Sequence, residues 1–341
     1  MNGAPVLALV APDAPGIPPE TVVLGLPMIR RTALAARRAG FGRVVVADAS
    51  LAAERALEGT GAELAPTAPP GAARLPWNVA VHVKDLKELA ANDTDGASVG
   101  VAVASAADLP RAESFLLKGL VKDTEGFMSR HFDRRISLAV SRRLAGTRVT
   151  PNQMTLVSVA IGLIGAPFFL SPRPSVQVIG GLLFLLHSIL DGCDGELARL
   201  KFLESRWGGT FDFWGDNVVH MAVFGMMGVG LARSTGRQWP LVCGATAVLA
   251  TAASASFVYW RTMTGRKDGP LFTSVAVHRE TALSRVADAL SRRDFIYLVL
   301  IMSAFGLGDW FVVSSAIAVP AFFLALVAVA WNDRRIARSA S

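Results

Sequence analysis

The chain has 341 residues, 52% of them hydrophobic, and a mean hydropathy of +0.43; this is too apolar for an ordinary soluble protein and predicts a membrane part with room for a second domain. A net charge of +7 suits nucleic acid or an anionic membrane surface, and the placement of the basic residues around apolar runs gives no reason to expect nucleic acid. Cys193 and Cys243 are too few for a disulfide framework, and the chain starts without a basic segment leading into an apolar one, so no secretory leader is expected.

Residues 1–115 read as a small α/β domain. Val6 to Val10 predicts a buried strand, Pro27 to Arg38 a helix with Ile29, Leu34 and Ala35 on its apolar side, and Arg43 to Ala47 a second strand after a stop at Gly40, which together make a βαβ unit. Ala65 to Ala73 is rich in Pro, Ala and Gly and predicts a loop, and Ser98 to Ala104 predicts a further strand. Residues 116–150 form a linker and a helix from Ser129 to Leu144. In that helix Phe132, Ile136, Leu138, Ala139, Val140 and Leu144 interleave with arginines, as in an amphipathic helix lying in the membrane interface. A solvated helix of the soluble part is the other reading. Pro151, between Thr150 and Asn152, suits the first turn of the helix that follows.

From 151 to 335 the chain carries six uncharged runs: Gln153 to Leu170, Ser175 to Leu190, Asn217 to Ala232, Leu241 to Trp260, Phe295 to Gly308 and Trp310 to Trp331. Several approach the roughly 20 residues a helix needs to cross the hydrocarbon core, which predicts an integral membrane domain of six transmembrane helices. Arginines and lysines crowd the segment before the first run, the segments after the second and fourth, and the tail, whereas the opposite loops hold only Arg173, Arg233 and Arg237. This places both termini, and the α/β domain, on the cytoplasmic side of the cell membrane.

Between the second and third runs lies the array Asp191-x2-Asp194-Gly195-x2-Ala198-Arg199-x8-Gly208-x3-Asp212-x3-Asp216. Aspartates three and four apart share a helix face, so two helices can turn four carboxylates toward one point. At a membrane boundary such a cluster calls for compensation, and hard cations with oxygen ligands fit it; two divalent cations, Mg2+ or Mn2+, are expected.

The array resembles the full signature of the CDP-alcohol phosphatidyltransferase family, integral-membrane enzymes that transfer a substituted phosphate from a CDP-linked donor to an alcohol and release CMP. The resemblance covers roughly Lys118 to Trp331. It implies Asp191, Asp194 and Asp212 as metal ligands, and Asp216 as general base with a share in the second metal. It also implies Gly195, Ala198 and Arg199 on one helix, and Gly208 on the next, as the place for the cytidine and its phosphates. Helix packing is the alternative role for Gly208. Asn152 either reaches the donor diphosphate or serves at the start of the first span. Arg261, Arg266 and Lys267 either form an anion pocket for a phosphorylated acceptor, such as inositol phosphate or glycerol phosphate, or reflect membrane orientation alone. His187 and His220 read as packed histidines. The resemblance further implies a homodimer.

The stretch Gly25-Leu26-Pro27-Met28-Ile29 followed by Arg43-Val44-Val45-Val46 is similar to the opening of sugar-phosphate nucleotidyltransferases, which some relatives of the family carry fused in front, as in the inositol-phosphate cytidylyltransferase and di-inositol-phosphate-phosphate synthase pair. Where those enzymes need a glycine-rich basic loop for a triphosphate, this chain has Ala11 to Thr21 with one glycine and no lysine or arginine. A non-catalytic N-terminal domain is expected. The alternatives are a bifunctional enzyme with an active cytidylyltransferase half, and a divalent-cation transporter using the aspartates as a pore site.

Overall fold

The computed structural model describes residues 5–13, 16–47, 50–92, 99–121, 128–264 and 295–339, with side chains of residues 92 and 333–339 left aside. The chain divides into two compact units. One comprises residues 1–123, 141–148 and 199–202, and the other residues 124–140, 149–198 and 203–341.

The first unit is built on a four-stranded parallel sheet. Strands β1 (Val6–Val10), β4 (Arg43–Ala47), β5 (Glu63–Ala65) and β6 (Ala73–Pro76) lie in the order β5-β4-β1-β6, with Ala8 opposite Val45, Leu9 opposite Leu75 and Val46 opposite Leu64. The two central strands are near-continuous apolar runs because parallel strands are covered on both faces. Leu7, Leu9, Val44, Val46 and Leu75 are buried with Ile29 and Ala33 of helix α1 (Met28–Ala39), which ends on Gly40 in the left-handed conformation, and helices α2 (Leu51–Leu57), α3 (Val83–Asn92) and α4 (Leu109–Lys118) follow along the chain. The βαβ unit is thus present, and β6 adds a fourth strand that begins where a loop is expected. The strand expected over Ser98 to Ala104 is shorter and lies elsewhere: β8 (Val101–Ala102) pairs antiparallel with β7 (Val79–Ala80), outside the main sheet.

Between β2 (Val22–Val23) and β3 (Leu26–Pro27), residues Leu24 and Gly25 have φ of 47° and 81°. A two-residue hairpin loop with both central φ positive follows the right-handed twist of its strands. Leu24, without glycine's freedom, is buried there and its carbonyl accepts from Arg31 at 3.0 Å. A Cβ on Gly25 would stand 2.0 Å from the Ala145 carbonyl oxygen, whereas one on Gly40, φ 102°, would meet nothing within 4 Å. Gly40→Ala is therefore expected to cost about 1–2 kcal/mol for the left-handed backbone alone. Gly25→Ala should cost at least about 3 kcal/mol, since the hairpin must also move. Urea unfolding of the full chain in detergent micelles, followed by limited proteolysis within residues 5–121, checks the order.

Residues 199–202 belong to this unit. Arg31, 5% exposed, donates to the carbonyl oxygens of Val23 and Leu200, each at 2.9 Å. Burial lowers its guanidinium to about 10, so it stays charged at neutral pH. Phe202, at φ 58°, packs against the α/β core and beneath the guanidinium of Arg38, 4.8 Å from the ring centroid.

The second unit is helical. Helix α5 (Arg134–Ala145) begins here, preceded by a wider turn over Ser129–Asp133. Phe132 and Ile136 are exposed whereas Ser137 is 1% exposed. A helix that turns its apolar side chains outward and a serine inward suits a lipid interface better than water. Helices α6 (Pro151–Gly165), α7 (Pro174–Lys201), α8 (Arg206–Thr235) and α9 (Trp239–Val258) follow, then α10 (Phe295–Ala304) and α11 (Gly308–Ser339). α6 has Pro151 in its first turn, as expected, and the structure adds a reciprocal cap: Thr150 accepts from the Gln153 N–H at 3.3 Å and the Gln153 side chain accepts from the Thr150 N–H at 2.9 Å. Among the described residues five helices are long and apolar enough to cross a membrane, over Pro151–Leu170, Pro174–Lys201, Arg206–Thr235, Trp239–Met263 and Gly308–Asn332. The fifth of the six apolar runs is the 10-residue α10, about 15 Å long and by itself shorter than the ~30 Å hydrocarbon core. Phe169, Phe184, Val219, Val223, Phe224, Ile296 and Phe311 form the core of this unit.

Candidate active site

The aspartates stand on long helices and not at their tips. α7 has 28 residues and α8 has 30, about 42 and 45 Å against a hydrocarbon core of ~30 Å. The apolar run of α7 ends at Leu190, and the helix continues through Asp191 and Asp194 to Lys201. α8 starts at Arg206 with a cap in which Ser205 accepts from the Gly208 N–H at 3.0 Å, so Asp212 and Asp216 lie inside it. The turn between the helices is short because α7 ends abruptly: the Leu203 N–H reaches back to the Ala198 carbonyl at 2.9 Å and that of Phe202 to Arg199 at 3.4 Å. This is the hydrogen-bond pattern of a helix stop that usually has glycine in the left-handed position, taken here by Phe202.

The resulting helical hairpin brings carboxylate oxygens of Asp191, Asp194 and Asp212 within 4.8 Å of one another. Asp191 and Asp194 are 3% and 7% exposed. The Asp212 Oδ1 is buried and accepts no hydrogen bond. Three like charges this close, one with an uncompensated buried oxygen, fit an oxygen-only coordination site for a hard divalent cation. Asp216, one turn beyond Asp212, lies outside this trio; its Oδ1 is 3.6 Å from Nε2 of His187.

Of the donor candidates, Gly195 and Ala198 lie four and seven residues after Asp191 on α7, along the same stripe. The Gly195 N–H bonds the Asp194 Oδ1. Arg199 follows in the last turn of α7, half-buried. Asn152, exposed at the start of α6, faces Gly208: a Cβ on Gly208 would stand 2.9 Å from the Asn152 Oδ1. Glycine at 208 thus leaves room for that amide. Of the acceptor candidates, Arg261 lies in a wider helical turn over Tyr259–Met263, while Arg266 and Lys267 fall outside the described residues.

Two further side chains lie against the aspartates, one of them, Thr155, missed by sequence reasoning. Thr155 of α6 donates its hydroxyl to Asp194. His187, expected to be a packed histidine, is corrected in part: it stacks on Phe184, but it also binds the Ser158 carbonyl through Nδ1 at 2.9 Å and faces Asp216. Its spacing of four before Asp191 was a weak signal, shared by any packed residue. His220 does pack, edge-on to Phe184 and Phe295. Cys193 points away, toward the Ser137 carbonyl.

Behind the site, Glu196 of α7 is 0% exposed and accepts from Arg134 Nη1 at 2.5 Å and Ser137 Oγ at 2.7 Å, both on α5. Asp133 likewise accepts from the Tyr297 hydroxyl of α10.

Comparison with known proteins finds relatives over parts of the chain. A protein of Thermococcus kodakarensis named bifunctional IPC transferase and DIPP synthase is 46% identical over 106 residues, 31% of this chain and 23% of that one. The Rubrobacter xylanophilus protein of the same name is 33% identical over 229 residues, 64% of this chain and 48% of that one. The archaetidylinositol phosphate synthase of Pyrococcus horikoshii is 31% identical over 95 residues, 28% and 49%. The chain thus spans at most about half the length of each of these relatives. Residues 148–278, which contain the whole aspartate array, match the CDP-alcohol phosphatidyltransferase family.

Proposed function

We propose that the protein transfers a substituted phosphate from a CDP-alcohol donor, of the CDP-diacylglycerol or CDP-inositol kind, to an alcohol acceptor such as inositol phosphate or glycerol phosphate, releasing CMP. The observation that carries this reading is the convergence of Asp191, Asp194 and Asp212 within 4.8 Å at a helical hairpin matched by the family. The names of the relatives, which include an archaetidylinositol phosphate synthase, favour a phosphorylated inositol as acceptor.

Asp191, Asp194 and Asp212, with a share from Asp216, would hold two divalent cations, Mg2+ or Mn2+. When bound, they supply charge neutralisation for the diphosphate and for the departing CMP. Gly195, Ala198 and Gly208 give the nucleotide close access to the helices, and Arg199 and Asn152 bind its phosphates. Asp216 takes the proton of the acceptor hydroxyl. The hydroxyl oxygen then bonds to the β-phosphorus, and the bond from that phosphorus to the bridging oxygen breaks, its electron pair leaving with CMP. Arg261, Arg266 and Lys267 are assigned to the acceptor phosphate. The long apolar helices make the protein multi-pass in the membrane; six spans, cytoplasmic termini and site, and a homodimer complete the reading. The N-terminal α/β unit is proposed to be non-catalytic, since the loop leaving β1 carries neither lysine nor arginine over residues 11–21.

Purified protein incubated with Mg2+ and a panel of CDP-linked donors and alcohols is expected to release CMP from at least one pair. Absence of CMP from every pair, with cation still bound, would turn the reading toward a cation site of another kind.

A further inference from the structure

Helix α6 supplies none of the four aspartates, yet two of its residues, nearly one turn apart, bond α7 beside them, one at Asp194 and one at His187, whose ring faces Asp216 of α8. Thr155 is 1% exposed, and its hydroxyl binds the Asp194 Oδ2. The other acceptor within reach of that hydroxyl, the Pro151 carbonyl, is farther away at 3.3 Å. Ser158 acts through its backbone. Its carbonyl can only accept, so the His187 Nδ1, 2.9 Å away, must carry the hydrogen. That bond and the stack on Phe184, with planes within 8° and centroids 6.1 Å apart, fix the imidazole. They leave its Nε2 edge facing the Asp216 Oδ1 at 3.6 Å. His187 is 1% exposed, so no solvent competes for either nitrogen.

We infer that α6 is the positioning helix of the site: Thr155 sets the orientation of Asp194, and Ser158 fixes the His187 ring that walls in Asp216. This rests on the reading of the aspartates as a divalent-cation site. Groups that bond a ligand's spare oxygen, or hold the side chain facing it, fix its geometry before the cation arrives; losing one typically weakens cation binding by about 10- to 100-fold. Simple mutual satisfaction of polar groups among apolar helices would hold the same residues in place without that consequence.

Mn2+ affinity, read from the loss of the free-ion electron paramagnetic resonance signal in detergent-solubilised full-length protein, separates the two. Thr155→Val keeps the shape and removes the donor, and should weaken Mn2+ binding by at least about tenfold. Thr155→Ser, which keeps the hydroxyl, should stay within about threefold of the wild type. His187→Asn can still donate to Ser158 but presents no ring to Asp216; it should lower kcat for CMP release by about tenfold or more with KM for the CDP donor unchanged. Equal Mn2+ affinity in Thr155→Val and wild type, or equal losses in the Val and Ser variants, overturns the inference while leaving the site itself standing. Wild-type protein that binds no Mn2+ overturns the cation reading, and this inference with it.

Discussion

Asp212→Asn is expected to lower CMP release by at least about a thousandfold, on the order of 4 kcal/mol of transition-state stabilisation. The substitution keeps the size of the side chain and removes one of three charges gathered within 4.8 Å. What it removes is the charge, and one of the two oxygens, of a carboxylate whose buried Oδ1 accepts no hydrogen bond. The same crowding predicts a second, opposite effect. Without cation, like charges this close repel, so the variant in chelator should melt no lower than the wild type and somewhat higher. Measuring CMP release in saturating Mg2+ alongside thermal unfolding in chelator tests both. Activity within tenfold of the wild type would sink the assignment of Asp212, and a lower melting temperature in chelator would show that the carboxylate does structural service.

Arg134→Met should be the most damaging change outside the aspartates. Glu196 is 0% exposed and the Arg134 side chain 15%, with 2.5 Å between nitrogen and oxygen. Deleting the guanidinium leaves a carboxylate sealed in the helices with only the Ser137 hydroxyl for company among the described residues. Breaking one side of such a pair costs about 3–5 kcal/mol, whereas replacing both partners by apolar groups is often neutral or stabilising. The double variant Arg134→Met/Glu196→Leu should therefore recover most of the melting temperature lost by the single one. Failure to recover would mean that α5 depends on the charges themselves for its place beside α7.

The array was legible because its spacing carries the geometry: three and four residues put each pair of aspartates on one helix face, whatever else the helix does. The central βαβ and the start of α6 were legible for a similar reason, since apolar runs and an early proline act locally. Thr155 and His187 were not. A single threonine or histidine in an apolar run has the same appearance whether it faces a carboxylate or a neighbouring ring, and only the packing of α6 on α8 and α7 decides. His187 and His220 make the point, both spaced by four from an aspartate, with one facing Asp216 and the other wedged among aromatics. The end of α7 was hidden because Phe202 takes the left-handed position that glycine would have announced. Its compensation, packing under Arg38 and against the α/β core, comes from residues more than 100 positions earlier in the chain. The strand β8 fell short of its expectation because β propensity over Ser98 to Ala104 says nothing about which partner is within reach.

The α/β unit takes in residues 141–148 and 199–202 as well as the chain before 123, and this has a bearing on synthesis. A ribosome delivers the chain from its N-terminus, and domains close as their last segment emerges. Here the Arg31 guanidinium waits for the Leu200 carbonyl, 169 residues downstream, and the sheet's apolar flank waits for Phe202. The N-terminal unit, first to be made, cannot be finished until the segments Pro151–Leu170 and Pro174–Lys201 have been translated. Nascent chains arrested before residue 199 should carry an α/β unit still open to protease, and those arrested well beyond 202 one that has closed, so that its completion reports that the helix bearing Asp191 and Asp194 has been made.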